Sequence, residues 1–335
     1  MNPKISICIP TFNRADLLDQ TLQSVADQTK KPFEVLIVDN ASTDNSAAIA
    51  KRYEKYGFRF IRNETNVGMV ENWNVCIRMS KGEYLTFLHS DDLIAPEWYE
   101  RWSEAIAEHP GIFYTGSIAI INQNNDPQYT CHTFTENRLI KQKDVYREFW
   151  THLSPAIAPT AASIYHQSLF DEKKGGMFDP SYGTEADVIH FLKVFASTDV
   201  YYLDRILFTY RSHPAQGFDT EAQLKSLERE LSRLDNYFGI LKQFQQSHRM
   251  SRFFMQYPVF MTLAPATLYL AKGQFTKVNG YYTIARRHFP SLFVNFSDFV
   301  VFLRIITFFI GRALFGKNIA EEDRNQLQWL TEIKR

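Results

Sequence analysis

The chain has 335 residues, which is enough for one large domain or for a domain with an extension. Lys and Arg together number 37, as do Asp and Glu, so the chain has no net positive charge that would attract nucleic acid. We therefore expect no nucleic-acid partner. The three cysteines, Cys8, Cys76 and Cys131, are scattered, which argues against a disulfide scaffold or a zinc cluster and suits a reducing compartment. Because an apolar run starts at Ile5 with no signal segment before it, we expect a cytoplasmic protein.

Strand and helix patterns alternate over the first hundred residues. The apolar runs predict strands at Ile5–Ile9, Phe33–Val38, Phe58–Ile61 and Gly82–Leu88. Helices are predicted over Ala15–Gln28, from a cap at Ser42 or Thr43 to Tyr56, and around Val70, Asn74 and Ile77. This alternation is typical of an α/β protein with a doubly wound, mostly parallel sheet and helices on both faces.

The second half of the chain has a mixed pattern that becomes helical. We predict a strand at Ile112–Ile121, a short helix at Ala186–Phe195 and a strand at Val200–Tyr210. From about residue 221 the pattern is helical, beginning with Glu221–Gln246. We therefore predict an α/β domain over residues 1–220 and a helical C-terminal region over residues 221–335.

The fourth predicted strand stops on two adjacent carboxylates, Asp91 and Asp92, directly after His89 and Ser90. Ligands bind outside the carboxyl ends of parallel strands. Two neighbouring carboxylates repel each other, and a hard divalent cation that also holds phosphates would give them a purpose. The alternative is an Asp that caps a helix beginning at Leu93, and the stretch alone does not decide between the two.

Other polar residues stand at the same predicted edge of the sheet. They are Pro10, Thr11, Phe12, Asn13 and Arg14 after the first strand, Asp39 and Asn40 after the second, and Asn66, Gly68, Asn72 and Asn74 at a helix entry. Asp39 could bond a base or ribose donor, as acids at this edge do in other nucleotide-binding folds. Each segment also has a structural interpretation, with Thr11 or Asn13 as helix caps and Asp39 in a turn.

Taken together, these segments resemble the family 2 glycosyltransferases, which have the GT-A fold. The resemblance covers about residues 4–100 and rests on four motifs in order: Pro-Thr-Phe-Asn-Arg, Val-Asp-Asn-Ala-Ser-Thr-Asp, Asn-x-Gly with Asn-x-Asn, and Gly-Glu-Tyr with Leu-His-Ser-Asp-Asp. Each motif is weak alone, and the four in sequence are specific. The pattern is also similar to that of the abequosyltransferase-like bacterial members.

The resemblance implies a nucleoside-diphosphate sugar donor, usually with inversion at the anomeric carbon. It assigns the nucleobase contact to Asp39, in a pocket lined by Pro10, Thr11 and Arg14. The remaining donor-site candidates are Phe12, Asn13, Asn40, Asn66, Gly68, Asn72, Asn74, His89, Ser90 and Asp91.

The resemblance also implies a divalent cation, Mn²⁺ or Mg²⁺. Asp91 and Asp92 fall on the Asp-x-Asp motif that holds metal and ribose in the family. His89 stands where that motif has its first Asp, which lowers the carboxylate count, although a neutral imidazole could still donate to ribose or phosphate.

Two later segments resemble the rest of such a site. Residues 178–187 are similar to the segment with the family's catalytic base, which would be Glu185 or, alternatively, Asp187. Either acid could instead simply favour a helix N-terminus. The stretch after the last predicted strand resembles the motif whose His, here His213, completes the metal site or meets the diphosphate, with Arg211 as a natural phosphate partner and donor-site residue. The base would deprotonate an acceptor hydroxyl, which would then attack the anomeric carbon.

Residues 248–318 differ in composition from the rest of the chain. They contain nine Lys or Arg residues and one acid, Asp298, for a net charge of about +8. Arg304 and Arg312 interrupt an apolar run over residues 298–315, which is barely long enough to span a bilayer. A helix in the interface would keep both arginines at anionic headgroups, so we predict an amphipathic region that docks on an anionic membrane surface. The alternative is a buried helical subdomain or a dimer face, and a dimer face would make the protein a homo-oligomer.

A cytoplasmic sugar transferase with such a region suggests a lipid-linked acceptor, such as a polyprenyl-diphosphate-linked glycan in bacterial O-antigen or capsule assembly. We expect it to be peripheral on the inner face of the cell membrane. A nucleotidyltransferase is a competing class, but it would normally carry a Gly-rich phosphate loop, and residues 10–14 contain no Gly. A non-catalytic sugar- or lipid-binding module is kept open by His89 and by the imperfect match at Glu185.

Overall fold

The structure, a computed structural model, describes residues 3–145, 148, 162–212, 273–288 and 319–333, together with single residues between 231 and 303. Of Thr184 and Glu185 it describes the backbone. The chain divides into two compact units, residues 1–212 with 319–335, and residues 213–318. The predicted helix Glu221–Gln246 and the apolar run 298–315 lie almost entirely outside the described residues, and the predicted domain boundary at residue 220 stays a prediction.

The described part of the first unit contains ten strands. They are β1 (Ile5–Thr11), β2 (Glu34–Asp39), β3 (Arg59–Arg62), β4 (Tyr84–Phe87), β5 (Leu93–Ile94), β6 (Phe113–Ile121), β7 (Pro127–Cys131), β8 (Arg138–Ile140), β9 (Ser163–His166) and β10 (Val200–Arg211). They form one sheet in the order β3-β2-β1-β4-β9-β6-β10-β5, with β7 beside β6 and β8 beside β10.

The first four strands are parallel, because β1 pairs with β2 and β4, and β2 pairs with β3. Every residue of β1, β2 and β4 is buried, as expected of parallel strands covered on both faces. The chain runs outward from β1 to β3 and then returns to β4 on the other side of β1. This reversal is the switch point at which doubly wound sheets bind ligands, and it lies between β1 and β4.

Beyond β4 the sheet is mixed. β9 is antiparallel to β4 and β6, while β10 is parallel to β6 and antiparallel to β5 and β8. The predicted doubly wound α/β class is confirmed, and its mostly parallel character holds for the first four strands. The short strands β5, β7, β8 and β9 were not predicted, because two to five residues are too few to show a periodic pattern.

Helices cover both faces of the sheet. In the first unit they are α1 (Ala15–Ala26), α2 (Ser46–Arg52), α3 (Met69–Met79), α4 (Trp98–Glu108), α5 (Ala186–Ser197), α7 (Glu321–Gln326) and α8 (Leu330–Ile333). The second unit contains α6 (Phe275–His288). Short 3₁₀ helices occupy Glu54–Tyr56, Gln142–Asp144, Gln167–Phe170 and Pro180–Glu185. The helix predicted from Ser42 to Tyr56 is therefore shorter, since α2 starts at Ser46 and ends at Arg52. Among the described residues, no helix is long and apolar enough to cross a membrane.

Alternate residues of the central strands enter two separate cores. Ile7 and Ile9 of β1 pack in one core with Leu18 and Leu22 of α1, which confirms the apolar stripe predicted for that helix. Cys8, between them, enters the other core. The rigid parallel half of the sheet therefore fixes the strand ends that carry the candidate site.

Candidate functional site at the switch point

The structure brings the predicted strand-end residues to one edge of the sheet. Thr11 ends β1 directly opposite Asp39, which ends β2. Residues 88–92 follow β4 on the other side of β1. The switch point is therefore lined by the segments that the sequence assigns to the donor site.

Asp91 faces a cation across the switch point. Its Oδ2 lies 3.5 Å from Nε of Arg14, and the Asp91 residue is 9% exposed. Arg14 precedes α1, and its backbone N–H donates to Ser46 Oγ at 3.0 Å, which ties this loop to α2. The edge of the sheet thus presents one carboxylate, whose side chain is 12% exposed, beside one guanidinium, whose side chain is 27% exposed. Such a pair can take part in binding both a cation and a phosphate.

Asp92 turns its carboxylate inward. It is fully buried, and its Oδ1 accepts the backbone N–H of Arg211 at 2.9 Å. Its Oδ2 has no hydrogen-bond partner within the described part of the chain. Burial, followed by the nearby charge of Asp91, raises the pKa of Asp92 well above its usual range. The alternative interpretation of these acids as a helix cap is wrong, because β5 follows them and α4 begins only at Trp98.

Arg211 supports Asp91 from beneath. It is fully buried, and its Nε donates to the backbone oxygen of Asp91 at 2.6 Å. Its two Nη atoms donate to Gln20 Oε1 at 3.0 Å, to the backbone oxygen of Gln123 at 3.4 Å and to the side chain of Asn125. The structure therefore places the guanidinium among protein oxygens below the site, and not at its surface as the phosphate partner that the sequence predicts.

Asp39 lies buried at the end of β2 with several donors around it. Its two oxygens accept the Ser42 N–H at 3.2 and 3.3 Å, and the Ser42 hydroxyl also donates to it. Arg62 Nε lies 3.4 Å from Asp39 Oδ2, and Arg62 donates to the Ser42 backbone oxygen at 2.7 Å. Nearby, the buried Thr11 Oγ1 has no partner among the described residues. Asp39 thus has the turn role anticipated as an alternative, together with an ion pair that was not predicted.

A ladder of side-chain amides forms the wall next to Asp39. Asn40 donates to Asn66 Oδ1 at 2.8 Å, and its own Oδ1 accepts from Asn63 at 3.0 Å and from the Val67 N–H at 2.9 Å. Asn63 also donates to Asn72 Oδ1 at 2.9 Å. These contacts set the loop that enters α3. The predicted donor contacts of Asn40, Asn66 and Asn72 stay predictions.

His89 packs edge-on against Trp73, with ring centroids 5.8 Å apart. Burial lowers the pKa of His89, and the charge of Asp91 opposes this shift without cancelling it. The imidazole is therefore neutral at neutral pH, which is the form that the sequence argument requires if it is to stand in for the missing Asp.

The candidate base segment leads into α5. Asp187 lies in the first turn of α5, where its Oδ1 accepts the Val188 N–H at 2.6 Å. Burial raises the pKa of Tyr210, and the charges of Asp92, Asp91 and Asp187 raise it further. These three carboxylates therefore lie within electrostatic reach of one phenol. The Glu185 side chain and His213 lie outside what the structure describes, and their predicted roles stay predictions.

The described residues contain no group of three or more His, Cys, Asp or Glu side chains that could hold a metal ion. Mg²⁺ and similar cations are often held by one or two carboxylates together with substrate phosphates. The carboxylate of Asp91, which lies beside Arg14, and the unpartnered Oδ2 of Asp92 suit this arrangement. The residues present therefore fit a cation that binds together with a diphosphate.

A family model described as Glycosyl transferase family 2 matches residues 6–172, about half of the chain. The chain belongs to glycosyltransferase family 2. It is 38% identical over 122 residues to an uncharacterized glycosyltransferase of Haemophilus influenzae, covering 36% of this chain and 41% of that protein. It is 35% identical over 130 residues to poly(ribitol-phosphate) beta-glucosyltransferase of Bacillus spizizenii, covering 37% of this chain and 20% of that protein. The family 2 chain thus spans between a fifth and about two fifths of the length of these curated relatives.

The fold of this family 2 chain is also that of a solved structure. S. aureus TarS 1–349 in complex with UDP-GlcNAc superposes with a TM-score of 0.60 at 17% identity, covering 95% of each chain. The GT-A fold that the sequence motifs implied is therefore confirmed.

Several residues of this family 2 site were not predicted. They are Gln20, Ser42, Arg62, Asn63 and Tyr210. Arg62 ends β3 and Tyr210 is near the end of β10, so a search for polar residues at every strand end would have found both. Gln20 could not be found in this way, because it lies inside α1 and reaches the site through Arg211.

Proposed function

We propose that this family 2 chain is an inverting glycosyltransferase that moves a sugar from a nucleoside-diphosphate sugar to an acceptor hydroxyl. The observation that carries the proposal is the pairing of the Asp91 carboxylate with Arg14 at the switch point. Charged groups of both signs are needed where a diphosphate binds and leaves.

The donor would lie across the strand ends of β1 and β2. Asp39 would receive the nucleobase at the buried end of this pocket, with Thr11 and the amide ladder along its walls. The unpartnered hydroxyl of Thr11 is available for a bond to the ligand, since no described residue accepts or donates there. The UDP-GlcNAc bound by TarS supports a nucleotide-sugar donor, and the identity of its base and sugar is left to experiment.

Asp91, Asp92 and His213 would hold Mn²⁺ or Mg²⁺ together with the diphosphate. When bound, such a cation stabilises the negative charge that develops on the leaving diphosphate. Arg14 would add a second positive charge from the protein itself, beside Asp91. Arg211 would keep the Asp91 backbone in place during this change of charge.

Glu185 would act as the base, with Asp187 as the alternative. The base takes the proton of the acceptor hydroxyl, whose oxygen forms the new bond to the anomeric carbon while the bond to the diphosphate breaks on the opposite face. A general base typically contributes about 10²–10⁴-fold to the rate. The charges of Asp91 and Asp187 both raise the pKa of Tyr210, which supports a base on this segment.

The acceptor would be a lipid-linked glycan, such as a polyprenyl-diphosphate oligosaccharide in bacterial surface-polysaccharide assembly. The relative that glucosylates poly(ribitol-phosphate) supports a cell-surface polymer. The basic residues of 248–318 support docking on the anionic inner face of the cell membrane, and two of them, Arg286 and Arg287, lie in the last turn of α6.

The test has two steps. Thermal shift with UDP, GDP, CDP and dTDP, each with and without Mn²⁺, identifies the donor base. Sugar nucleotides of that base are then incubated with prenyl-diphosphate-linked disaccharides, and the product is analysed by mass spectrometry and by NMR for the anomeric configuration. A glycosylated product of inverted configuration is expected. Nucleotide binding without transfer would favour a non-catalytic binding module, and release of pyrophosphate from a nucleoside triphosphate and a sugar phosphate would favour a nucleotidyltransferase.

A further inference from the structure

Asn74 is buried on α3 and binds the backbone of a segment that lies 104 positions later in the chain. Its Nδ2 donates to the backbone oxygen of Phe178 at 2.8 Å, and its Oδ1 accepts the Phe178 N–H at 3.1 Å. The other Nδ2 hydrogen serves Glu71 Oε2, 3.0 Å away. Both amide hydrogens are used within the protein, so Asn74 acts as a two-bond clamp on Phe178 and offers no donor to a ligand, unlike in the donor-site role predicted from the sequence.

The Phe178 side chain is held as firmly as its backbone. Its ring centroid lies 5.4 Å from that of Trp73, 5.6 Å from that of Phe87 and 4.5 Å from that of His190. Neither ring nitrogen of His190 has a hydrogen-bond partner among the described residues, and burial lowers its pKa to about 3. His190 therefore packs as one more neutral aromatic ring, and Phe178 is a fixed point from which the next residues extend.

The chain turns sharply between this fixed point and the candidate base. Asp179 accepts the Ser181 N–H at 2.9 Å and begins the 3₁₀ helix Pro180–Glu185. Within it, Gly183 has φ 55° and ψ −127°, a conformation that L side chains disfavour. A Cβ at Gly183 would meet no atom within 4 Å, so the requirement for glycine lies in the backbone angle and not in space.

Helix α3, which carries Asn74, also reaches the donor pocket. Asn72, two residues before Asn74, accepts from Asn63 in the amide ladder and donates to the backbone oxygen of Val38 in β2 at 3.1 Å. The first turns of α3 are therefore bonded through Asn72 to the wall of the donor pocket and through Asn74 to the start of the base segment.

We propose that Asn74 is a positioning residue, which sets the place of the base segment, residues 178–187, relative to the donor pocket through its clamp on Phe178. This inference rests on the proposed function, because it matters for turnover only if the segment carries the base. A misplacement of about 1 Å can lower a rate by roughly 10²-fold. Loss of the clamp should therefore lower kcat while nucleotide binding, which uses the strand ends, is retained.

The experiment compares Asn74→Ala, Gly183→Ala and a control, Ser103→Ala. The first removes the clamp, and the second strains the turn without touching any neighbour. The control removes a buried bond of similar kind, from Ser103 Oγ to the Tyr99 backbone oxygen at 2.6 Å in α4, away from the segment. Calorimetry gives the affinity of each folded variant for the nucleoside diphosphate that binds the wild type. Initial rates with the matching sugar nucleotide give kcat and donor KM.

We expect kcat to fall about tenfold or more in Asn74→Ala and Gly183→Ala, with nucleotide affinity unchanged and Ser103→Ala like the wild type. A wild-type kcat in either folded variant would overturn the proposal. So would a parallel loss of nucleotide affinity and kcat, which indicates a merely structural role. If Asn74→Ala does not fold, Asn74→Asp takes its place, because it keeps the acceptor for the Phe178 N–H and loses the donor to the Phe178 oxygen. Absence of transfer by the wild type with every donor would instead refute the proposed function, and the positioning role with it.

Discussion

Asp91 and Asp92 are adjacent in the sequence, but their carboxylates occupy different environments. Asp91 is 9% exposed and faces Arg14, whereas Asp92 is fully buried and accepts the backbone N–H of Arg211. The two residues can therefore be tested separately, because Asp92 bonds the fold directly, through Oδ1, while its Oδ2 has no partner among the described residues.

Replacement of Asp91 tests its ligand role. Asp91→Ala should remove the Mn²⁺-dependent part of nucleotide binding and leave the thermal midpoint nearly unchanged. We expect a loss of at least about 10–100-fold in metal-dependent affinity, which is typical even for the loss of a hydrogen-bond partner of a metal ligand. Titration of the nucleotide with and without Mn²⁺ measures this loss. Asp27→Ala, at the far end of α1, is the matched control, and unchanged Mn²⁺-dependent affinity in Asp91→Ala would refute the assignment.

Replacement of Asp92 tests the linkage between its burial and pH. The pKa of Asp92 is raised in the folded protein above its unfolded value of about 3.9. Between these two pKa values the folded state binds a proton that the unfolded state has lost. The free energy of unfolding therefore falls as the pH rises through this range. Asparagine has no ionisable carboxyl group, so Asp92→Asn lacks this dependence on pH. Thermal midpoints of both proteins at pH 5, 6, 7 and 8 should therefore show a wild type that loses stability relative to Asp92→Asn as the pH increases. Parallel pH curves would contradict the raised pKa.

The sequence predicts the location of the site residues better than it predicts their contacts. Strand-end position was enough to find Asp39, Asp91 and Arg14, because parallel strands place their carboxyl ends together. The burial of Arg211 could not be predicted, because its partners Gln20 and Asn125 come from distant parts of the chain and only the fold brings them together.

At the scale of elements, the turn before α5 carries the candidate base. Glu185→Gln should retain donor binding and lose about 10²–10⁴-fold in transfer rate, because a base acts on the acceptor and not on the nucleotide. Single-turnover transfer and nucleotide calorimetry separate the two effects. Asp187→Asn is the paired variant: full activity of Glu185→Gln with loss in Asp187→Asn would move the base by two residues, and activity in both would refute the mechanism.

The short helices α7 and α8 bring the end of the chain back to the first unit. Leu327 and Leu330 are buried with Leu93 of β5 and Ile206 of β10, and Asp323 accepts the Thr130 hydroxyl at 2.6 Å. The sequence did not predict this return, since α7 and α8 are too short to show helical periodicity and their partners are remote.

Truncation of Leu330 tests whether this return stabilises the first unit. Leu330→Ala should lower the free energy of unfolding by about 2–5 kcal/mol, the usual range for a fully buried leucine. Urea unfolding measures the change, and Glu332→Ala, which alters an exposed residue of the same helix, is the control. Equal stability of the two variants would mean that the C-terminal helices add little to the fold.

At the scale of the whole molecule, charge is distributed unevenly between the parts of a chain that has no net charge. Residues 248–318 carry about +8, so the remaining residues carry an equal excess of acid. The GT-A fold explains the first unit, but packing does not by itself call for a one-sided charge in the second. Attraction to an anionic membrane surface would explain a one-sided charge, because each basic residue near the membrane contributes about 1 kcal/mol.

The C-terminal region is therefore predicted to dock on membranes without spanning them. A spanning helix would bury Arg304 and Arg312 at about 2.5–3.5 kcal/mol each, and an interfacial helix avoids this by keeping both guanidinium groups at the headgroups. A truncation before about residue 290 would also remove Leu330 from the first unit, so substitution is the cleaner test. The test variant changes four basic residues to Gln: Arg249, Arg252, Arg304 and Arg312.

Flotation with anionic and neutral liposomes, at low and high salt, measures the docking. We expect the wild type to float with anionic liposomes at low salt and the fourfold variant to stay behind, because each lost charge weakens attraction by about 1 kcal/mol. A control with the same number of changes in the first unit, at Lys31, Lys51, Lys55 and Lys81, should still float. If the wild type binds neither kind of liposome, the apolar run is a packed subdomain or a dimer face. If binding resists alkaline carbonate, the run inserts more deeply than an interfacial helix can.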